Sequence, residues 1–236
     1  MLFPTEGKTF GRDIELLFNA LKDKERFAFS KYADGEYAIL LNQRITNCDG
    51  WTFDPATDSE YRDELFESFV FDEEGYFVGV SCPCCVGEAT SHAMRSAVDA
   101  ADDHVTWANL FVNNNYAYFE KNFIPEFNNH DVILVSHEDS QIEQLPFEVE
   151  EHIAIGPTAW KDNFDLVAGL SHMSWKNKLF LYCAGPLGNM LAARQWKYNK
   201  DNTYLDIGST LNPYLLGKRD RGYLKGGNAQ KVCTWD

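Results

Sequence analysis

The chain is short of positive charge. Lys and Arg number 21 against 36 Asp and Glu, which leaves a formal net charge of −15. Nucleic-acid binding draws its affinity from Lys and Arg that neutralise phosphates, so this balance opposes binding to a polyphosphate backbone. Long apolar runs are also missing. None approaches the ~20 residues of a membrane-spanning helix. The start, Met1-Leu2-Phe3-Pro4-Thr5-Glu6, has neither a basic n-region nor an apolar h-region, so the expected location is cytoplasmic. No G-x-S-x-G elbow, P-loop, H-E-x-x-H helix or G-x-G-x-x-G fingerprint occurs, which leaves serine-hydrolase, P-loop, zincin and NAD chemistry without support. No linker rich in Gly, Pro or Ser breaks the chain, and no repeat is visible. The expectation is one domain over residues 1–236.

What is present is an alternation. Apolar runs read as strands at Phe27–Ser30, Tyr76–Val80, Val105–Ala108, Val132–Val135, His152–Ile155, Lys178–Cys183 and Thr203–Ile207. Helical periodicity separates them at 13–21, 59–71, 88–101, 116–123, 159–170 and 187–198, with Pro125 limiting the fourth. Asn42 to Pro55 reads as loop. This order predicts an α/β fold, a Rossmann-like domain with a largely parallel sheet and helices on both faces. Small or polar residues follow nearly every strand. In a parallel sheet those ends share one edge, where this fold class builds its site.

Ser30-Lys31-Tyr32-Ala33-Asp34-Gly35-Glu36 lies where the first sheet strand meets a helix. Asp34 and Glu36 read in two ways. They are a helix cap and first-turn negative charge, or they are hard oxygen ligands for Mg²⁺ or Mn²⁺. Gly185-Pro186-Leu187-Gly188-Asn189 closes another strand, and the exposed N–H groups of its turn suit a diphosphate or simply a helix packed close to the sheet. Gly156-Pro157-Thr158 repeats that design, with Thr158 as a candidate cap, and Trp160 reads as core before stacking platform. Asn113, Asn114 and Asn115 carry more hydrogen-bonding groups than one cap needs. Asp206 ends the last strand, followed by Ser209, Arg221 and Tyr223. Five basic residues, Lys218, Arg219, Arg221, Lys225 and Lys231, gather near the C-terminus of an acidic chain. They read as a solvated segment or as one folded back over an anion. His92 and His137 lie near strand ends and are weak candidates for a base.

The six cysteines are 48, 82, 84, 85, 183 and 233. Cys82-Pro83-Cys84-Cys85 holds a Cys-x-x-Cys spacing, but no second ligand pair follows at zinc-finger distance. The expectation is structural: small residues packed at a crowded strand end.

Ser30 to Glu36 resembles the Ser-Arg-Phe-Gly-Asp-Gly-Glu signature of GT-D-type glycosyltransferases, with Lys31, Tyr32 and Ala33 departing from it. Leu181 to Leu191 resembles that family's strand–Gly-Pro–helix element, and Tyr204 to Ser209 its terminal Asp-Ile-Gly strand. The resemblance runs from about Phe27 to Tyr223. It implies a metal-dependent transfer of sugar from a nucleotide-diphosphate donor, a UDP-sugar foremost, to an acceptor hydroxyl such as that of a glycan. Asp34 and Glu36 would then hold Mn²⁺ or Mg²⁺ and carry the catalysis, Glu36 as base if Asp34 alone binds metal. Lys31, Asn114, Gly185, Pro186, Asn189, Asp206, Ser209, Arg221 and Tyr223 would line the substrate site. A non-catalytic nucleotide- or glycan-binding protein and a metal-dependent phosphoesterase are the alternatives.

Overall fold

The structure, a computed structural model, describes residues 10–47, 50–98, 100, 102–158, 160–171 and 173–224. Lys225, Lys231, Cys48 and Cys233 lie outside the described residues. Among the described residues nine strands form: β1 (Ala28–Tyr32), β2 (Ile45–Thr46), β3 (Thr52–Phe53), β4 (Tyr76–Val80), β5 (Val105–Trp107), β6 (Asp131–His137), β7 (Glu151–Ile155), β8 (Lys178–Cys183) and β9 (Thr203–Asp206). The helices are α1 (Phe10–Lys22), α2 (Asp34–Leu40), α3 (Ser59–Val70), α4 (Pro83–Val86), α5 (Glu88–Ala97), α6 (Tyr116–Tyr118), α7 (Ile124–Glu126), α8 (Asp165–Ser171), α9 (Pro186–Tyr198) and α10 (Asn212–Leu215). Seven strands make one sheet in the order β5-β4-β1-β9-β8-β6-β7. Every pairing in it is parallel. The α/β expectation holds, with β1 and β9 side by side near the middle.

Strand residues alternate between two cores because side chains in a strand have period two. In β1, Ala28 and Tyr32 face one core while Phe29 faces the other, and Phe27 just ahead of the strand joins Phe29. The first core is closed by Ile39, Leu65, Met94, Trp160, Leu191 and Trp196. The second is closed by Leu17, Leu21, Phe111, Phe119, Phe127 and Leu211. Burial on both faces is why these strands read as unbroken apolar runs rather than alternating ones. No helix among the described residues is long and apolar enough to cross a membrane.

Four local expectations need correction. The stretch expected as loop between 42 and 55 contains the β2–β3 hairpin. Its strands are two residues long, too short to show a period. The helix expected from 88 to 101 ends at Ala97, with Val98 already extended. The helical path expected to stop before Pro125 continues through it. A π-turn over Phe119–Phe123 delivers Pro125 to the first turn of α7, where its missing N–H is tolerated. The helix expected from 159 starts only at Asp165. Side chains turn the chain first: Asn163 Oδ1 accepts from the Gly156 N–H at 3.0 Å, and Thr158 donates to Asp162 instead of capping a helix. Trp160 is core, 1% exposed.

Phe29 sits at 0% exposure in the central strand, with its ring edge-on to Phe111 at 5.5 Å. Phe29→Ala should cost about 3–5 kcal/mol in chemical denaturation. A loss under about 1 kcal/mol would mean the second core is not anchored on β1.

Candidate functional site

The site edge begins at the end of β1. Ala33 is the N-cap of α2, and its N–H donates to Glu36 Oε2 at 2.9 Å. The Ala33 methyl has no oxygen to return that bond, so only the Glu36 half of a capping box is available here. Glu36 is buried by it, at 7% exposure. Asp34, the first residue of α2, is exposed. The two carboxylates therefore differ: one is half-committed to backbone and one opens to solvent.

β9 ends beside them. Asp206 is 2% exposed, and both of its oxygens accept backbone bonds. Oδ2 accepts from the Lys31 N–H at 3.2 Å and Oδ1 from the Gly208 N–H at 3.1 Å. The carboxylate thus clasps the end of β1 to the turn after β9. Burial pushes Asp206 up to about 7, against the pull of Lys31 and with the support of Glu36. Lys31 is the counterpart. Burial works against its charge, but Asp206, Glu36 and Tyr223 together hold it above the ordinary lysine range. Its side chain lies across Gly208: a Cβ at that glycine would meet Lys31 Cε at 2.5 Å. Gly208 also has φ +55°, a left-handed conformation that L side chains avoid.

The opposite wall is the start of α9. Gly185 turns the chain at φ +54°, and Pro186 takes the first helical turn, as the sequence implied. Asn189, one turn in, is fully buried. Its Nδ2 donates to Ser30 Oγ at 2.9 Å and to the Lys31 carbonyl at 2.7 Å. It holds the end of β1 from the α9 side as Asp206 holds it from β9.

Trp51, on the β2–β3 hairpin, was not legible as a site residue. Its indole covers both glycine turns: Cβ atoms built at Gly35 and Gly185 would lie 3.2 Å and 3.1 Å from it. It is 5% exposed and packs edge-on to Trp160 at 5.2 Å. The only sequence signal was an aromatic beside a glycine in a presumed loop.

The chain after β9 folds back over the same edge. Tyr223 packs its ring on Tyr116 at 5.1 Å, and Ser209, Arg221 and Lys31 stand near its hydroxyl. Burial raises the Tyr223 pKa, so the phenol stays protonated as a donor at neutral pH. Asn114 falls in the 3₁₀ turn Asn113–Asn115, and its side chain lies outside the described set. The histidines are elsewhere: His92 is exposed on α5, and His137 ends β6, two strands from β9, where it accepts from the Asp139 N–H at 3.1 Å. The cysteine expectation fails in part. Cys82 is buried, but Cys84 and Cys85 are exposed and fill no crowded core. The short α4 turn lifts them off the strand end.

Two outcomes follow from this clasp. An Asp with a raised folded pKa adds stability at low pH that is lost as pH rises through about 7. Wild type should therefore lose stability relative to Asp206→Asn between about pH 4 and pH 7, the interval between the ordinary Asp range and the raised folded value, in parallel thermal melts. A constant difference across that range would show that Asp206 does not titrate there. Gly208→Ala should cost about 1–2 kcal/mol from the left-handed backbone alone, with more from displacing Lys31. Unchanged stability would contradict the placement of Lys31 over this turn.

Comparison with known proteins agrees with this architecture. No family model matches the chain, and no curated protein matches it by sequence. Solved structures do match by fold. One, described as the conserved domain of unknown function 1792 with a distinct glycosyltransferase fold, aligns at a TM-score of 0.57 and 14% identity, covering 86% of this chain and 80% of its own. Another, described as a new glycosyltransferase of the same domain from Streptococcus sanguinis, aligns at 0.59 and 15% identity, covering 86% and 84%. The chain has the fold of these glycosyltransferase structures.

Proposed function

We propose that this protein is a metal-dependent glycosyltransferase that moves a sugar from a nucleotide-diphosphate donor to an acceptor hydroxyl. One observation carries the reading. On a fold shared with a described glycosyltransferase, Glu36, Lys31 and Asp206 converge on the edge between β1 and β9, Asp34 opens to solvent at the start of α2 two residues before Glu36, and Arg221 and Tyr223 fold back toward Lys31. The donor set fits a hard divalent ion. Asp34 offers an exposed carboxylate, and Glu36 keeps Oε1 while Oε2 caps α2. Two carboxylates leave most of an octahedral shell to water and diphosphate oxygens, which suits an ion that arrives with its donor. When bound, Mn²⁺ or Mg²⁺ supplies Lewis-acid stabilisation of the leaving diphosphate.

The chain's own residues supply the rest. Lys31 keeps its charge through the carboxylates around it and offers a fixed cation toward the diphosphate. The N–H groups at the Gly185-Pro186 turn add partial positive charge from the N-terminus of the 13-residue α9. Asn189 acts as a positioning residue that fixes the strand end carrying Lys31. Arg221, Ser209 and Tyr223 close over the donor from the other side, with Arg221 pairing phosphate oxygens. Asn114 is assigned to the sugar or base, and a UDP-sugar is the donor tested first. Asp206, with both oxygens held by backbone, orients Lys31 rather than meeting substrate.

Three variants separate these roles. Asp34→Asn should abolish Mn²⁺-dependent binding of UDP in calorimetry while leaving the melting temperature unchanged. Glu36→Gln keeps an oxygen for the Ala33 N–H and removes only charge, so it should lower metal-dependent binding with little loss of stability. Arg221→Ala should weaken UDP binding by roughly one to two decades, the worth of a charge-assisted hydrogen bond of ~1.5–3 kcal/mol. It should leave uridine binding unchanged. Wild-type UDP affinity in Asp34→Asn with Mn²⁺ would overturn the metal assignment. Equal losses of UDP and uridine in Arg221→Ala would overturn the diphosphate contact.

A further inference from the structure

The end of β4 gathers a different chemistry. Ser81 leaves the strand with its hydroxyl on the Tyr32 carbonyl at 3.3 Å and takes a bond from Ser91 on its own carbonyl at 2.8 Å. The next four residues are Cys82-Pro83-Cys84-Cys85. Cys82 is extended, and Pro83 starts the single turn of α4. That turn brings three sulfurs together. The Sγ atoms of Cys82, Cys84 and Cys85 all lie within 4.8 Å of one another. Among the described residues, no other trio of His, Cys, Asp or Glu converges this closely.

The spacing suits an ion better than a bond. Cys82 Sγ and Cys84 Sγ are 2.9 Å apart, well beyond the ~2.05 Å of a disulfide. Around a tetrahedral zinc with Zn–S of about 2.3 Å, neighbouring sulfurs stand about 3.8 Å apart. Cys82 and Cys84 stand closer than that value and all three sulfurs within 4.8 Å, so side-chain rotations that part the first pair would bring the trio to an ion's geometry. A further residue supports the thiolate form. Asn113 Nδ2 donates to Cys85 Sγ at 3.7 Å from a backbone at φ +55°. Hydrogen bonds from outer-shell donors are what orient and stabilise metal-bound ligands. The exposure of Cys84 and Cys85, which core packing does not explain, gives an ion access from solvent.

We propose that Cys82, Cys84 and Cys85 form a binding site for a thiophilic d¹⁰ cation, Zn²⁺ or Cu⁺, with Asn113 as its hydrogen-bonding neighbour. Binding replaces three S–H bonds by three S–metal bonds and releases three protons to solvent, with no change in oxidation state. Zn²⁺ takes water as its fourth ligand; Cu⁺ is served by three sulfurs. Soft thiolates select such ions over Mg²⁺ and Mn²⁺, whereas exposed carboxylates do the reverse. The chain therefore sorts ions between two ends of adjacent strands, since β4 pairs with β1 through Val80 and Tyr32. The role that follows is a clip. The ion fastens the turn after β4 beside the strand end that leads into Asp34.

The test uses the full chain, reduced and stripped of metal. Titration with Co²⁺, a spectroscopic substitute for Zn²⁺, should give one equivalent with sulfur-to-cobalt charge-transfer absorption that Zn²⁺ then removes. A second arm measures Cu⁺ held against a chromophoric Cu⁺ chelator; the tighter arm identifies the ion. The double variant Cys84→Ser/Cys85→Ser should lose binding by more than about 100-fold, the upper range for losing even an outer-shell partner. Cys85→Ser alone should lose most of that affinity, which covers the case of a misfolded double variant. Zn²⁺ or Cu⁺ should raise the melting temperature of wild type and not of the variants. Absence of both the charge-transfer band and Cu⁺ retention would overturn the proposal. So would equal uptake by the folded variants, which would place the ion on other cysteines.

Discussion

The buried carboxylate of Asp206 is the constraint on which the site depends. Its two oxygens take the N–H groups of Lys31 and Gly208, which joins the end of β1 to the turn after β9. A carboxylate placed at 2% exposure is costly unless charge and hydrogen bonds compensate it. Lys31 supplies the charge and the two backbone donors supply the bonds. The compensation is incomplete, which is why burial still pushes Asp206 up to about 7. Lys31 in turn needs Gly208, because any side chain there would occupy its path. Asn189 locks the same strand end from α9. One lysine is thus fixed from three sides at the edge of the central strands.

That arrangement would let an acidic chain take the anionic donor proposed above. The net charge of −15 describes the whole molecule. Binding is decided by local potential in a low-dielectric crevice. Lys31 lies inside it, and Arg221 approaches from the returning C-terminal segment. Trp51 packs closely over Gly35 of α2 and over Gly185 at the start of α9. The site combines few charges, each held in place.

The sheet was legible because strands buried on both faces leave unbroken apolar runs, and seven of the nine strands were read near their positions. The Asp34-Gly35-Glu36 junction was legible because strand, turn and helix adjoin in sequence. The Gly185-Pro186 turn was legible for the same reason. The clasp between Lys31 and Asp206 was not, since 175 residues separate them and no local pattern links them. Glu36 carried two readings, and the Ala33 bond shows that the capping role is real without removing the other. The β2–β3 hairpin was missed because two-residue strands have no period, and with it went Trp51. The late start of α8 was missed because Asn163 ties Gly156 from seven residues away. Cys84 and Cys85 were misread as packed because sequence shows their size and not which way a four-residue turn points them.

The central claim is that the edge between β1 and β9 transfers a sugar from a nucleotide-diphosphate donor. The most direct measurement incubates the protein with a panel of nucleotide-sugars, Mn²⁺ and hydroxyl acceptors, and follows the nucleotide and sugar products separately. The account predicts release of the nucleoside diphosphate with one donor, only with metal, and with the sugar recovered on a hydroxyl or on water. Release of nucleoside monophosphate or inorganic phosphate instead would contradict it and point to a phosphoesterase. Metal-dependent binding of a nucleotide-sugar without turnover under any acceptor would contradict it as well, and would make this a binding protein on a transferase scaffold.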